Sequence, residues 1–192
     1  MGKLKVFSIQ PKEVVDKLLD AGEVYVDEHK IANPEFIKAY DWLVEQMDKK
    51  IVHPKGVKYP WFCFYLLNKE NNITYEDALE LSSPDIDEYL LELEVEESDL
   101  FLTDYNKWHY VLNDCYYDNS FSEKEWTDNV EWFDSLPLDV QKSVKLNSWN
   151  GIMNIEQYES DWCISGVDVQ GTFWRLSKDM VKKITLIPKE AE

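Results

Sequence analysis

Apolar and polar positions change period several times along the chain, and each change marks an element. Leu4, Val6 and Ile9, with Phe7, read as a first strand. Pro11 suits the first position of a helix, where its missing N–H costs no bond. Val14, Val15, Leu18 and Leu19 then set one apolar stripe on that helix. Gly22 can take the left-handed conformation that stops it, and Glu23 to Val26 reads as a second short strand. Asn33 as cap and Pro34 behind it open the next helix. Phe36, Tyr40, Leu43, Val44 and Met47 keep helical spacing there to about Lys50. After a loop from His53 to Val57, the run from Tyr59 to Leu67 is bulky on both faces and predicts a buried central strand, with Pro60 at its start.

Asn68 to Asn72 reads as a turn, and Thr74 with Asp77 resembles a capping box with Asp in place of Glu, opening a short helix to Leu81. Ser82, Ser83 and Pro84 break it. Leu91, Leu93 and Val95 alternate with Glu92, Glu94 and Glu96, the pattern of a strand whose mutually repelling carboxylates face water. The segment from Ser98 leads into a helix over Asn106 to Asn113, with Trp108, Val111 and Leu112 inward. Residues 114–122 read as a hinge. Ser122 and Glu125 match a capping box ahead of a helix through Trp126, Val130 and Phe133. A helix over Leu138 to Lys145, a turn from Asn147 to Gly151 and an irregular loop from Glu159 to Ser165 follow. Val167 to Ile187 reads as strand, short helical turn and strand, a closing strand pair. The whole predicts an α+β fold with a mixed sheet and flanking helices. It is one domain over residues 1–192 with an acidic, helix-rich insertion at about 70–139.

Charge sharpens this picture. The formal net charge is -18. Residues 70–139 hold 21 Asp and Glu against Lys107 and Lys124, a balance of -19, while the remainder is nearly neutral. Such a surface repels a nucleic-acid backbone and attracts a basic partner, or simply keeps the protein dissolved. Three widely spaced cysteines, Cys63, Cys115 and Cys163, without a C-x-x-C or a Cys/His cluster, read as free thiols in a reducing, cytoplasmic setting and not as a metal site. No apolar run has the length of a membrane span, and Met1 to Pro11 has no signal-peptide pattern. The G-x-S-x-G elbow and the G-x-x-x-x-G-K-[ST] phosphate loop are both missing, and 6 glycines leave few backbone cradles for a pyrophosphate.

Several spaced aromatic motifs give the chain a family likeness: Phe7 to Gln10, Ala39 to Trp42 with Gln46 and Met47, Val57 to Trp61, Leu102 to Asp104 with Trp108 to Asn113, and Gln170 to Trp174. On these the chain, from about Leu4 to Ile187, resembles the DUF3841 family of bacterial and phage proteins. Its two ends are also similar to the ADP-ribosyltransferase fold, in particular the DarT-like branch. That branch opens with a His-x-Thr strand, a helix and a Gly before a short strand, and closes with a strand that begins in a catalytic Glu. Here Ser8 and Gln10 stand for the His and Thr, and Gln170 for the Glu. The resemblance implies an NAD- or nucleotide-binding pocket lined by Ser8, Gln10, Tyr25, Trp174 and Gln170. It implies that the two end strands lie side by side with Ser8, Gln10 and Gln170 facing a shared hollow. A neutral Gln170 can hydrogen-bond a ribose but cannot supply the negative charge that steadies the sugar as nicotinamide leaves. Binding without turnover fits as well as ADP-ribosyl transfer.

Each candidate has a plainer role beside it. Gln170 can hold a ribose or satisfy backbone at a strand start. Ser8 and Gln10 share one strand face, either a pocket wall or a solvent face. Tyr25 can stack on nicotinamide or pack on the first helix. His109 can carry a proton or be structural, and His29 and His53 have no evident partner. Glu96, Glu97 and Asp99 have no spacing diagnostic of Mg²⁺. Two functional expectations follow. One is the nucleotide-binding protein, with NAD as cofactor and the acidic middle recruiting a basic protein. The other is an acidic DNA mimic that blocks a basic nucleic-acid enzyme, as in phage anti-defence.

Overall fold

The computed structural model describes residues 2–30, 34–160 and 162–189; the cap expected at Asn33 lies outside them. The elements run β1 (Lys3–Pro11), α1 (Lys12–Ala21), β2 (Glu23–Val24), α2 (Ile37–Met47), β3 (Trp61–Leu66), α3 (Tyr75–Leu81), β4 (Glu88–Glu96), β5 (Phe101–Asp104) and α4 (Tyr105–Leu112). They continue with α5 (Glu123–Ser135), α6 (Leu138–Ser148), β6 (Tyr158–Glu159), β7 (Ile164–Ser165), β8 (Val169–Phe173), β9 (Leu176–Ser177) and β10 (Val181–Ile187). Six strands form one sheet in the order β10-β4-β1-β3-β8-β5. Every neighbouring pair is antiparallel. The expected mixed sheet is therefore corrected to an antiparallel one within an α+β fold, since each strand runs opposite to both of its sheet neighbours.

Alternation along β1 and β4 decides what the sheet buries. Val6 sits opposite Leu93 and Ser8 opposite Leu91. Val6, Leu91, Leu93 and Val95 pack with Val15 and Leu18 of α1. Gly22, at φ 85°, ends α1 as its sequence predicts, and its N–H donates to the Leu18 carbonyl. The other face carries two clusters. Phe101, Trp108, Val111 and Trp174 pack under α2 with Leu43 and Met47. Phe7, Leu90 and Ile187 pack under α3 with Ala78. Thr74 and Asp77 cap α3 reciprocally, so the shorter Asp does the work of the usual Glu.

Residues 70–139 supply β4 and β5 of the sheet as well as α3, α4 and α5. Their charge is partly matched by lysines distant in sequence. Lys5 and Lys183 reach Glu92, Lys182 reaches Glu94, Lys3 reaches Glu96 and Lys145 reaches Asp114. The Glu92–Glu94–Glu96 row faces outward as expected, but paired with neighbouring strands instead of standing alone. Such surface pairs contribute little stability each.

Three local expectations need correction. The lead-in from Ser98 contains β5, which pairs with β8. The closing strand pair does not pair with itself: β8 lies between β3 and β5, and β10 lies at the opposite edge beside β4. Between them β9 pairs with β2. The turn expected at Asn147 to Gly151 is the end of α6 followed by a 3-10 turn, Trp149–Met153. Residues 114–122 are tied to that turn: Trp149 Nε1 donates to the Cys115 carbonyl at 2.7 Å, and Tyr117 N donates to Ser148 Oγ at 3.0 Å. Among the described residues, no helix is long and apolar enough to cross a membrane.

The cysteines differ in access. Cys63 is buried on β3, its thiol bonded to the Gly171 carbonyl, and burial pushes its pKa far above that of an ordinary thiol. Cys115 is exposed. Alkylation of the native protein followed by mass spectrometry is expected to mark Cys115 early and Cys63 only after unfolding. Early marking of Cys63 would show that the β3–β8 pairing opens freely.

Candidate functional site

β1 and β3 share one paired position, Phe7 with Phe64. Beyond it, toward the end of β1, the strands part, and side chains fill the space. Ser8 Oγ donates to the Phe62 carbonyl at 2.8 Å, and Gln10 Nε2 donates to Ser8 Oγ at 2.8 Å. Across β3, Phe64 sits opposite Gln170, and Gln170 opposite Thr103. Gln170 Nε2 donates to Thr103 Oγ1 at 3.0 Å. Alternation puts Gln170 in the row of Phe7 and puts Ser8 and Gln10 on the other face. The parting of β1 from β3 nevertheless lets all three line one hollow of about 390 Å³. The end strands are not side by side, because β3 stands between β1 and β8.

Aromatic rings from four elements wall this hollow: Phe7 of β1, Tyr40 of α2, Phe62 and Phe64 of β3, Tyr105 and Trp108 of α4. Tyr40 stacks on Trp108 with centroids 6.2 Å apart and tilts against Phe62 at 5.8 Å. Phe64 meets Tyr105 at 5.3 Å. Burial raises the Tyr40 pKa, so its hydroxyl stays protonated at neutral pH. His109 borders the same hollow and is exposed. Its Nδ1 lies 3.0 Å from the Tyr105 carbonyl. A carbonyl only accepts, so the neutral ring carries its hydrogen on Nδ1 and leaves a lone pair on Nε2. As placed, Gln10 and Gln170 spend their amide nitrogens inside the protein, and neither Oε1 has a partner among the described residues. Among the described residues, Lys and Arg are absent from the wall and its one carboxylate is Glu88, accepting from Ser83 N at 2.7 Å.

Of the six residues expected at a site, Ser8, Gln10, His109 and Gln170 come together. Tyr25 and Trp174 do not join them. Trp174 is buried in the α2 cluster and stacks on His53 at 4.1 Å. It shares a separate hollow of about 320 Å³ with Tyr25 and Arg175. Tyr25 also borders one of about 480 Å³ between α1 and β2, where Gln10 forms part of the wall. The reason is local: Trp174 is one residue past β8 and packs with Leu43 and Met47 of α2. Sequence reasoning missed Glu88, Tyr40 and Tyr105. Tyr105 and His109 stand four apart on α4, a spacing that puts them on one helix face; the other two had no local signal.

Glu96, Glu97 and Asp99 do not converge, and no group of three or more His, Cys, Asp or Glu could hold a metal ion among the described residues. What remains is an α+β domain on a six-stranded antiparallel sheet, with an aromatic, amide-lined hollow where two central strands part. The chain belongs to the family described as Domain of unknown function (DUF3841), whose model matches residues 5–182. No curated protein and no solved structure matches the chain. The likeness of its ends to ADP-ribosyltransferases therefore rests on the quoted residues alone.

Proposed function

We propose that the hollow between β1 and β3 binds a planar, nitrogen-rich ring that carries N–H or O–H donors, as a nucleoside or the nicotinamide ring of NAD does. The carrying observation is a set of three acceptors without a partner among the described residues, Gln10 Oε1, Gln170 Oε1 and His109 Nε2, on a wall of stacked aromatics. Aromatic faces favour a flat ligand, and acceptors on the wall that no described protein group occupies can pair with the donors such a ligand brings. The charge of the wall favours the ring end of NAD over its pyrophosphate: Glu88 opposes phosphate, and among the described residues no Lys or Arg lines the hollow to offset it.

Calorimetry with adenosine, cytidine, nicotinamide and NAD tests this. Rings alone are expected to bind about as well as NAD, with Gln170→Ala weakening them about tenfold. Absence of heat with all four ends the reading. ADP-ribosyl transfer would further need a negative group beside the departing sugar. Glu88, not Gln170, is the carboxylate at this hollow, so release of nicotinamide from NAD that stops in Glu88→Gln would support a transferase. The DNA-mimic reading is less favoured, because five lysines from outside residues 70–139 fold back onto its carboxylates.

A further inference from the structure

A second hollow, of about 380 Å³, lies on the other side of α4. Four aromatic rings border it: Tyr110 of α4, Tyr117, Trp126 of α5 and Trp162. Tyr110 and Tyr117 meet edge to face with centroids 5.2 Å apart, and Trp126 and Trp162 are tilted at 6.4 Å. Trp126 is 45% and Trp162 44% exposed, so two indoles stand open at the rim where packing would ordinarily cover them. Asp118 adds a carboxylate to the wall, held in place by accepting from Ser120 N at 2.8 Å.

The charges around this hollow are unequal. Burial raises the pKa values of Tyr110 and Tyr117, so both rings stay neutral, and the Lys107 ammonium already stands 5.9 Å from the Tyr117 ring centroid. Burial likewise raises that of the Cys163 thiol, which borders the same space. Lys107 also reaches it, but its ammonium donates to the Asn154 carbonyl at 2.9 Å and to Ser165 Oγ at 2.7 Å, with Asp104 at 3.7 Å. Asp104 offsets that cation, and Asp118 is left as the net charge of the wall. Beside it α5 carries Glu123, Glu125, Asp128, Glu131 and Asp134 against Lys124, a field that gathers cations.

We propose that this hollow is an aromatic cage for an organic cation of the methylammonium class, held by cation–π contact with Trp126, Trp162 and the two tyrosines and by the Asp118 carboxylate. Quaternary ammonium groups fit because they cannot use hydrogen bonds, and four rings beside a carboxylate supply the attraction that remains. The same chemistry occurs in a free quaternary amine and in a trimethylated lysine of a partner protein, and the two are separable by experiment.

Tryptophan fluorescence of the full chain would be titrated with tetramethylammonium, choline, a trimethyllysine peptide and the neutral isostere 3,3-dimethylbutan-1-ol. The cations are expected to bind about tenfold or more tighter than the isostere, and Trp162→Ala or Trp126→Ala to weaken them by a similar factor. Asp118→Asn keeps the acceptor for Ser120 N and is expected to weaken binding most at low salt. A peptide that outbinds choline assigns the site to a protein partner; the reverse assigns it to a free amine. Equal binding of the isostere, no fluorescence change with any cation, or wild-type affinity in both tryptophan variants overturns the cage. Because both indoles are half open to solvent, the variants are expected to melt as the parent does. Gln170 plays no part here, so the two sites fail or stand separately.

Discussion

A Lys107→Met variant is expected to lose about 3–5 kcal/mol of folding stability. The side chains of Lys107 and Asp104 are 6% and 1% exposed, so neither charge has water to fall back on. Asp104 is committed three ways. Its Oδ1 caps α4 by accepting from Lys107 N at 2.9 Å, its Oδ2 accepts from Gly166 N at 2.7 Å, and the ammonium of Lys107 stands 3.7 Å from that oxygen. Removing the lysine leaves a carboxylate buried against two N–H groups with no counter-charge, and also strips the Asn154 carbonyl and Ser165 Oγ of their donor. The double variant Asp104→Asn with Lys107→Met keeps an acceptor for the cap and removes the stranded charge, so it is expected to recover part of the loss. Urea unfolding with unchanged slope measures both. A loss below about 1 kcal/mol in the single variant would mean that the pair is hydrated and the clamp between α4 and residues 154–166 is loose.

That clamp was invisible in the sequence, and its invisibility is instructive. Asp104 and Lys107 stand three apart, a spacing that suggests an ordinary surface pair on a helix. Asn154, Ser165 and Gly166, some fifty residues later, close on them, beside a stretch from Glu159 to Ser165 whose pattern reads only as an irregular loop. Elements set by local chemistry were legible. Pro11 and Gly22 bracket α1, Thr74 opens α3, and the alternation of Leu91, Leu93 and Val95 shows the buried face of β4. β5 escaped because four residues, Phe-Leu-Thr-Asp, are too short for a period to show. The place of β8 and β10 at separate positions in the sheet escaped because strand order is set by long-range pairing, which a single segment does not encode.

The hollow was legible only in part, for a related reason. Ser8, Gln10 and Gln170 declare themselves as polar residues at strand positions where apolar ones are expected. That they meet depends on the separation of β1 from β3 after a single paired position. Had those strands stayed paired, strict alternation would have kept Gln170 on the opposite face from Ser8 and Gln10. Tyr25 and Trp174 show the converse: each lies near a strand end, yet the chain turns after β8 and carries the indole beneath α2. Lysines near both termini explain why the acidic middle overstated its isolation. Lys3 and Lys5 of β1 and Lys182 and Lys183 of β10 are brought beside β4 by the antiparallel register.

Gly166→Ala is expected to cost about 3 kcal/mol or more, and Gly56→Ala about 1 kcal/mol. Both glycines have positive φ, 65° and 81°, so both variants carry the left-handed penalty of an added Cβ. They differ in what that Cβ meets. At Gly56 nothing lies within 4 Å. At Gly166 the Ile155 carbonyl oxygen would stand 2.4 Å away and that of Glu156 2.8 Å away, both backbone atoms that no rotamer change can move. The segment would have to retreat, and the bond from Gly166 N to Asp104 would lengthen with it. The difference between the two variants in urea or thermal unfolding therefore isolates the close approach from the conformational cost. Equal losses would show that residues 155–166 yield without strain. Since Trp162 and Cys163 ride on that segment, Gly166→Ala is also expected to weaken binding of a quaternary ammonium at the aromatic cage, while leaving the hollow at Gln170 unchanged.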